Sequence, residues 1–279
     1  DSEVGKLRKV LLRRPGKEIE GVNEENCAEV RWKAPMNPEV ARAEQDTLAQ
    51  IYRDHGVEVH YVENMREDRP NALYMRDLII MTPEGAIVCR PGIEARRGEE
   101  KYAAQALSAL GVPIIKTING DGFFDGACLM WVDRHTVIIG TGARANQSGA
   151  EQVMSELRNI GVTDFIHFPI PYGHAHIDGL LNIADKKTAV LFPWQVPYDV
   201  VKALLDRDFT IIEATNIEEV KAKFAINFVA IEPGKVVMPD GSPETKAKME
   251  DHGIEVIEVK MEEIRKGWGA IHCMTGPLL

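Results

Sequence analysis

Apolar positions along this chain fall into two alternating periods. Residues spaced three and four apart predict amphipathic helices over 38–53, 97–110, 147–160, 197–206 and 243–251. Each helix runs through a small turn into a strand of apolar and β-branched residues. These strands read DHGVEVHYV from Asp54, ALGVPIIKT from Ala109, NIGVTDFIHF from Asn159, RDFTIIEA from Arg207 and DHGIEVIEV from Asp251. Gly56, Gly111, Gly161 and Gly253 stand where a left-handed residue closes a helix at least cost. Asp208 takes that place in the remaining copy, and Asp also visits the conformation.

Four of the copies are followed by two apolar segments flanking a polar tip, the pattern of a hairpin. They are LIIMTPEGAIVCR from Leu78, CLMWVDRHTVIIG from Cys128, LNIADKKTAVLF from Leu180 and FVAIEPGKVVM from Phe228. The fifth copy runs into MTGPLL, and residues 5–14, GKLRKVLLRR, supply the strand it lacks. The expectation is an α/β fold of five ββαβ-type units of roughly 45–55 residues each. Pairing of the two chain ends closes them into a five-bladed propeller, which leaves no bare sheet edge. A doubly wound open sheet is the alternative, but it places single strands rather than hairpins between helices. Without a Pro/Gly/Ser-rich linker, residues 1–279 read as one domain.

Composition narrows the function. The 33 Lys and Arg face 43 Asp and Glu, a net charge of −10 that excludes the basic surplus of a nucleic-acid binder. No apolar run approaches the ~20 residues of a membrane helix, and the charged opening residues do not resemble a signal peptide. Four scattered cysteines form no CxxC pair, so we expect free thiols, a cytoplasmic protein, and neither metal nor cofactor. A homo-oligomer is compatible with this composition.

The repeat gives the reactive residues a common register. At the start of each hairpin stand Asp77, then Asp125, then His176 with Asp178, then Asn227, and in the fifth unit His272–Cys273. In a closed ring these positions converge on the axis. Several carboxylates held together require a cation, and a Cys among them is an odd companion for a hard metal ion. A guanidinium is planar, permanently charged and matched to carboxylate forks. Its central carbon calls for a soft nucleophile, the thiolate of Cys273. His176 then serves as general acid and base, Asp125 orients it, and Asp77 and Asp178 clamp the guanidinium. Taken singly, each residue has a plainer reading: Cys273 as a core thiol, Asp77 as a surface ion pair with Arg76, Arg144 as a loop charge. Cys89 and Cys128 read as core, Cys27 has no assignment, and His174 is expected to face away from His176 along an extended segment.

These residues resemble the guanidino-group-modifying superfamily of arginine deiminases, dimethylargininases, agmatine deiminases and amidinotransferases, along almost the whole chain. The similarity lies in PN-LY-RD around Asp77, FDGA around Asp125, the H-x-D of His176 and Asp178, and HCMTGPL around Cys273. Arg144, followed by Asn146 and Gly149, is similar to the arginine with which that family holds a substrate carboxylate. The resemblance implies the five-bladed pentein fold, a covalent amidino-thioether on Cys273, and Asn71 and His272 as further substrate contacts. It implies hydrolysis of L-arginine or a close analogue to ammonia and a ureido product, with dimethylargininase activity or amidino transfer to an amine as alternatives. Trp268 stands where deiminases often carry an Arg, and Asp125 with His272 leans toward amidinotransferases. CMTGPL and the short chain lean toward hydrolysis. Arginine dihydrolases on the same scaffold carry Asn near the position of Asp77. Binding proteins on this scaffold lack the Cys/His/Asp set.

Overall fold

Every helix expected from the pattern forms, and every turn that ends one before its strand is left-handed. The structure is a computed structural model describing residues 2–279, with Asp1 outside the described residues. Gly56 (φ 76°), Gly111 (72°), Gly161 (96°) and Gly253 (80°) occupy the region open to glycine, and Asp208 joins them at 60°. The first strand, β1 (Lys9–Leu12), precedes α1 (Pro38–Asp54) and β2 (Glu58–Tyr61). Asn37 caps α1 by accepting from the N–H groups of Glu39 and Val40, and the helix buries Ala41, Gln45, Leu48, Ala49 and Tyr52 along one stripe.

Three units of hairpin, helix and strand follow. They are β3 (Ile79–Thr82), β4 (Gly85–Val88), α2 (Glu100–Ala109) and β5 (Ile114–Thr117); β6 (Leu129–Asp133), β7 (Thr136–Thr141), α3 (Gln147–Asn159) and β8 (Asp164–Pro169); and β9 (Leu181–Asp185), β10 (Thr188–Leu191), α4 (Tyr198–Leu205) and β11 (Thr210–Glu213). A short α5 (Ile217–Lys221) leads into the fourth, β12 (Val229–Glu232), β13 (Lys235–Pro239), α6 (Pro243–Asp251) and β14 (Glu255–Val259). The chain finishes with α7 (Ile271–Met274) and β15 (Gly276–Leu278).

Among the described residues the strands form five three-stranded sheets, each with a middle strand antiparallel to one neighbour and parallel to the other. In the unit sheets, the helix carries the chain across to the parallel strand. The fifth sheet joins the two ends: β1 pairs antiparallel with β15, Lys9 opposite Leu278, and parallel with β2, Lys9 opposite Glu58. Residues 5–14 thus supply the missing strand. Middle strands such as β4 and β7 are almost wholly apolar and buried, whereas parallel outer strands such as β5 are partly exposed.

Two expectations need correction. The helix placed over 97–110 starts at Glu100, because Arg96 turns inward to 3% exposure and Gly98 is left-handed at φ 95°. The glycine-rich segment around Cys273, read as a loop, contains the one-turn helix α7 and is buried. Gly267 and Gly269 let this segment approach Tyr74: a Cβ on Gly269 would lie 2.4 Å from the Tyr74 ring. Among the described residues no helix is long and apolar enough to cross a membrane.

Candidate active site

In three sheets the hairpin is entered through a tight helical turn: Met75–Leu78, Gly126–Cys128 and Ile177–Gly179. Asp77, Asp125, His176 and Asp178 sit in these turns or immediately before them, and α7 holds the matching place before β15. The turns touch one another in succession, and α7 packs on the first. Residues that share a register in the repeat therefore share a location.

Cys273 is 6% exposed, and Asn227 holds it from two sides. The amide Nδ2 donates to Sγ at 3.1 Å, while Oδ1 accepts from the N–H groups of His272 at 3.1 Å and Cys273 at 3.3 Å. The thiol itself donates to Asp178 Oδ2 at 3.3 Å. Burial above all, then the charges of Asp178 and Asp77, push this thiol well above its ordinary range. Among protein groups alone the sulfur therefore keeps its proton at neutral pH. Burial works on Asp178 in the opposite sense to its partners: the hydrogen bond from His272 Nδ1 at 2.8 Å, together with His176 and the thiol, holds the carboxyl at about 2.

His176 lies between two carboxylates, with Nε2 3.0 Å from Asp125 Oδ2 and Nδ1 3.6 Å from Asp77 Oδ1. Burial disfavours its charged form, but Asp77, Asp125 and Asp178 outweigh that and raise its pKa. Asp125 also accepts from the Gly92 N–H at 2.8 Å and from Arg144 Nη1 at 3.4 Å. Burial would raise its carboxyl; the bond to His176 and the charges of His176 and Arg144 lower it instead. Ligand atoms of Asp77, Asp125 and His176 lie within 4.8 Å of one another, a spacing open to a metal ion as well as to a protonated imidazole.

Asp77 has one oxygen committed. Its Oδ2 pairs with Arg96, which also bonds Glu99 and the carbonyls of Asn71 and Tyr74. Its Oδ1 is buried without a hydrogen-bond partner among the described residues. Arg96 escaped the sequence reading because nothing in IEARRGEE distinguishes an inward arginine from a surface one.

A cavity of about 860 Å³ collects Asp77, Arg144, His176, Asp178, Asn227 and Cys273. Asn71 reaches its wall, but both ends of its amide are spent: Oδ1 accepts from Trp32 Nε1 and Nδ2 donates to the Val30 carbonyl, each at 2.8 Å. It anchors the segment around residues 30–33. His272 lies behind the nucleophile, between Asp178 and Arg76, outside this cavity. His174, expected to face away, lines the cavity too, because Gly173 at φ 91° makes a turn of the segment assumed extended. Where deiminases carry an arginine, Trp268 supports Lys33, whose Nζ stands 3.9 Å above the indole. Cys27, Cys89 and Cys128 are buried free thiols.

Three comparisons bear on this arrangement. A model of the eukaryotic N,N-dimethylarginine dimethylhydrolase family matches residues 20–279. A 2-nitroimidazole nitrohydrolase of Mycobacterium sp. (strain JS330) is 27% identical over 260 residues, covering 86% of this chain and 68% of that protein. The N(G),N(G)-dimethylarginine dimethylaminohydrolase of Pseudomonas aeruginosa is 27% identical over 213 residues, covering 74% and 76%. A dimethylarginine dimethylaminohydrolase solved as an adduct with S-methyl-L-thiocitrulline superposes with a TM-score of 0.79 at 24% identity, covering 96% of this chain and 98% of that one.

Proposed function

Since this chain belongs to the N,N-dimethylarginine dimethylhydrolase family, we propose that Cys273 is the nucleophile with which it hydrolyses the guanidinium of an arginine-like substrate. The activity is that of a C–N hydrolase acting on arginine analogues. The observation that carries the assignment is the Oδ1 of Asp77, which accepts no hydrogen bond among the described residues, its nearest cation being His176 Nδ1 at 3.6 Å, and which borders the same cavity as Cys273. A buried carboxylate oxygen without a donor is costly, and a guanidinium N–H offsets that cost.

A bound guanidinium brings positive charge beside a thiol that burial and carboxylates otherwise keep protonated. As substrate settles, the thiol releases its proton to solvent through the open cavity, and the thiolate attacks the central carbon. His176 gives its proton to the departing amine, leaving an amidino group on Sγ. The neutral imidazole then takes a proton from water, whose oxygen attacks the same carbon. Collapse releases a ureido product and restores the thiolate. Asp125 holds the imidazole, and Asp178 steers both thiol and substrate. The scheme uses no metal or cofactor. Arg144 is assigned the carboxylate at the substrate's other end, with Arg31, Lys33 and Lys221 adding positive charge to the cavity lining. Asn71 and His272 act through the groups they hold.

We read the five sheets as closing into a five-bladed α/β propeller forming one domain, because β15, β1 and β2 share a sheet. The free buried thiols fit a reducing compartment such as the cytoplasm. A second reading keeps the thiol chemistry but changes the electrophile: the 2-nitroimidazole nitrohydrolase relative, aligned over 86% of this chain, makes a planar amidine-like ring an alternative substrate.

The test is a panel of L-arginine, Nω-methylated arginines, agmatine and 2-nitroimidazole, each with and without ornithine or glycine, and with Cys273→Ser as control. We expect amine and ureido product from an arginine without acceptor. Product formed only with an acceptor would move the assignment to amidino transfer, nitrite from 2-nitroimidazole alone would favour the second reading, and an active Ser variant would sink the mechanism.

A further inference from the structure

Behind the nucleophile, an unbroken chain of polar contacts leads away from the substrate cavity. Cys273 Sγ donates to Asp178 Oδ2, which also accepts from His272 Nδ1 at 2.8 Å. The other nitrogen of that ring, Nε2, stands 2.7 Å from Arg76 Nη2, and the same Nη2 pairs with Glu3. Glu3 in turn accepts from the backbone N–H of Trp131 at 3.1 Å. Glu3, Arg76 and His272 line a second cavity of about 410 Å³ that contains neither Cys273 nor Asp178.

The protonation states in this chain are constrained. A guanidinium in a protein only donates and does not lose its proton. His272 Nε2 must therefore accept, so the ring is neutral and carries its hydrogen on Nδ1, where Asp178 receives it. A second proton on Nε2 would face Arg76 at 2.7 Å, like charge against like, with the Glu3 carboxylate farther off at 3.7 Å. Arg76 thus also stops any proton relay from the thiol outward. Arg76 is itself buried, 9% exposed at its side chain, and needs a counter-charge. Glu3 supplies one: burial opposes its ionisation, while the charge of Arg76 and the hydrogen bond from the Trp131 N–H hold its carboxyl below the usual range.

We propose that Glu3, reaching in from the segment ahead of β1, is a positioning residue for the nucleophile. Through Arg76 it fixes the tautomer of His272, and His272 fixes Asp178 against the thiol of Cys273. The same charge cancels the field of Arg76 at the sulfur, which helps keep the thiol protonated until a cation arrives. The groups facing Cys273 are Asp178 from the turn before β9, Asp77 and Tyr74 from the segment before β3, and Asn227 before β12. Of these, the imidazole of His272 holds Asp178, while Asn227 meets His272 only at its backbone N–H.

The proposal rests on the assigned nucleophile for its kinetic consequence alone, so two of its tests need no turnover. In the full chain labelled with ¹⁵N-histidine, the His272 proton is expected on Nδ1, with Nε2 bare toward Arg76. In Glu3→Gln the unbalanced charge of Arg76 favours the thiolate, so alkylation of Cys273 by iodoacetamide shifts to lower pH. With a guanidine substrate, kcat should fall about tenfold while KM stays within about twofold, since loosened Asp178 misplaces the sulfur. A protonated or Nε2–H His272 in the unmodified protein overturns the proposal whether or not the variant folds. A folded Glu3→Gln protein with an unshifted alkylation profile overturns it as well. Should no guanidine be hydrolysed, the NMR and alkylation results still decide this point separately from the substrate assignment.

Discussion

Asp178 Oδ2 receives both the thiol of Cys273 at 3.3 Å and the Nδ1–H of His272 at 2.8 Å. One ionised oxygen therefore both locates the sulfur and opposes its ionisation. Asp178→Asn removes that opposition, so the unliganded protein should react with iodoacetamide faster at pH 7 than the parent. Turnover of a guanidine should fall about 100-fold, because the sulfur is no longer held. Alkylation rate and kcat measured on one preparation test the pair; slower alkylation in the variant contradicts it.

The pairing of His176 with Asp125 predicts a pH dependence. Burial alone would lower the imidazole pKa, but Asp77, Asp125 and Asp178 raise it, so the proton His176 delivers to the leaving amine survives above the ordinary 6.5 and is lost as pH rises further. Asp125→Asn withdraws one of those charges. The alkaline limb of the kcat/KM profile should move to lower pH, and kcat should drop about 10²–10⁴-fold as the ring loses its orientation. An unmoved limb would assign the titration to another group.

Arg96 should matter for stability more than for chemistry. It is 3% exposed and answers both Asp77 and Glu99. Burial pushes Glu99 up to about 7 even with Arg96 beside it. Arg96→Met leaves two buried acids without their cation and should cost about 3–5 kcal/mol in urea unfolding at pH 9, with less loss at pH 5, where Glu99 is protonated with or without Arg96. Equal loss at both pH values would mean that packing, not charge, is what Arg96 contributes.

Arg144 separates substrates by their far ends. If it holds a carboxylate, Arg144→Gln should raise KM for arginine analogues about 10–100-fold, the scale of a charge-assisted hydrogen bond. KM for agmatine, which lacks the carboxylate, should change little. A similar rise for both would mean that Arg144 acts through Asp125, its neighbour at 3.4 Å.

Much of this architecture was legible because it repeats. Four glycines and Asp208 mark the same turn in each unit, and the start of each hairpin marks the same radial position, so Asp77, Asp125, His176, Asp178 and Cys273 could be aligned without coordinates. Asn227 stood in the same register, but its amide gave no hint that it would bond both the sulfur and the backbone of Cys273. Arg96 and Glu3 lie outside the register, and their partners come from other segments, so no local pattern announces them. Asn71 shows the opposite failure: it lies in a recognised motif, yet its amide is consumed by Trp32 and Val30. His174 turns to the cavity because a left-handed Gly173 breaks the alternation of an extended segment.

The sheet that joins β15 to β1 places Cys273 only a few residues from a strand whose partner lies almost the whole chain away. Contacts of that separation bear the largest loop-closure cost and tend to form late in folding. The acidic turns belong to more local units and can assemble earlier. Until that pairing forms, the sulfur is open to solvent and reacts like an ordinary cysteine. Damage by oxidants would then fall mainly on newly made or partly unfolded molecules, and the mature enzyme would be spared by the same pairing that completes it.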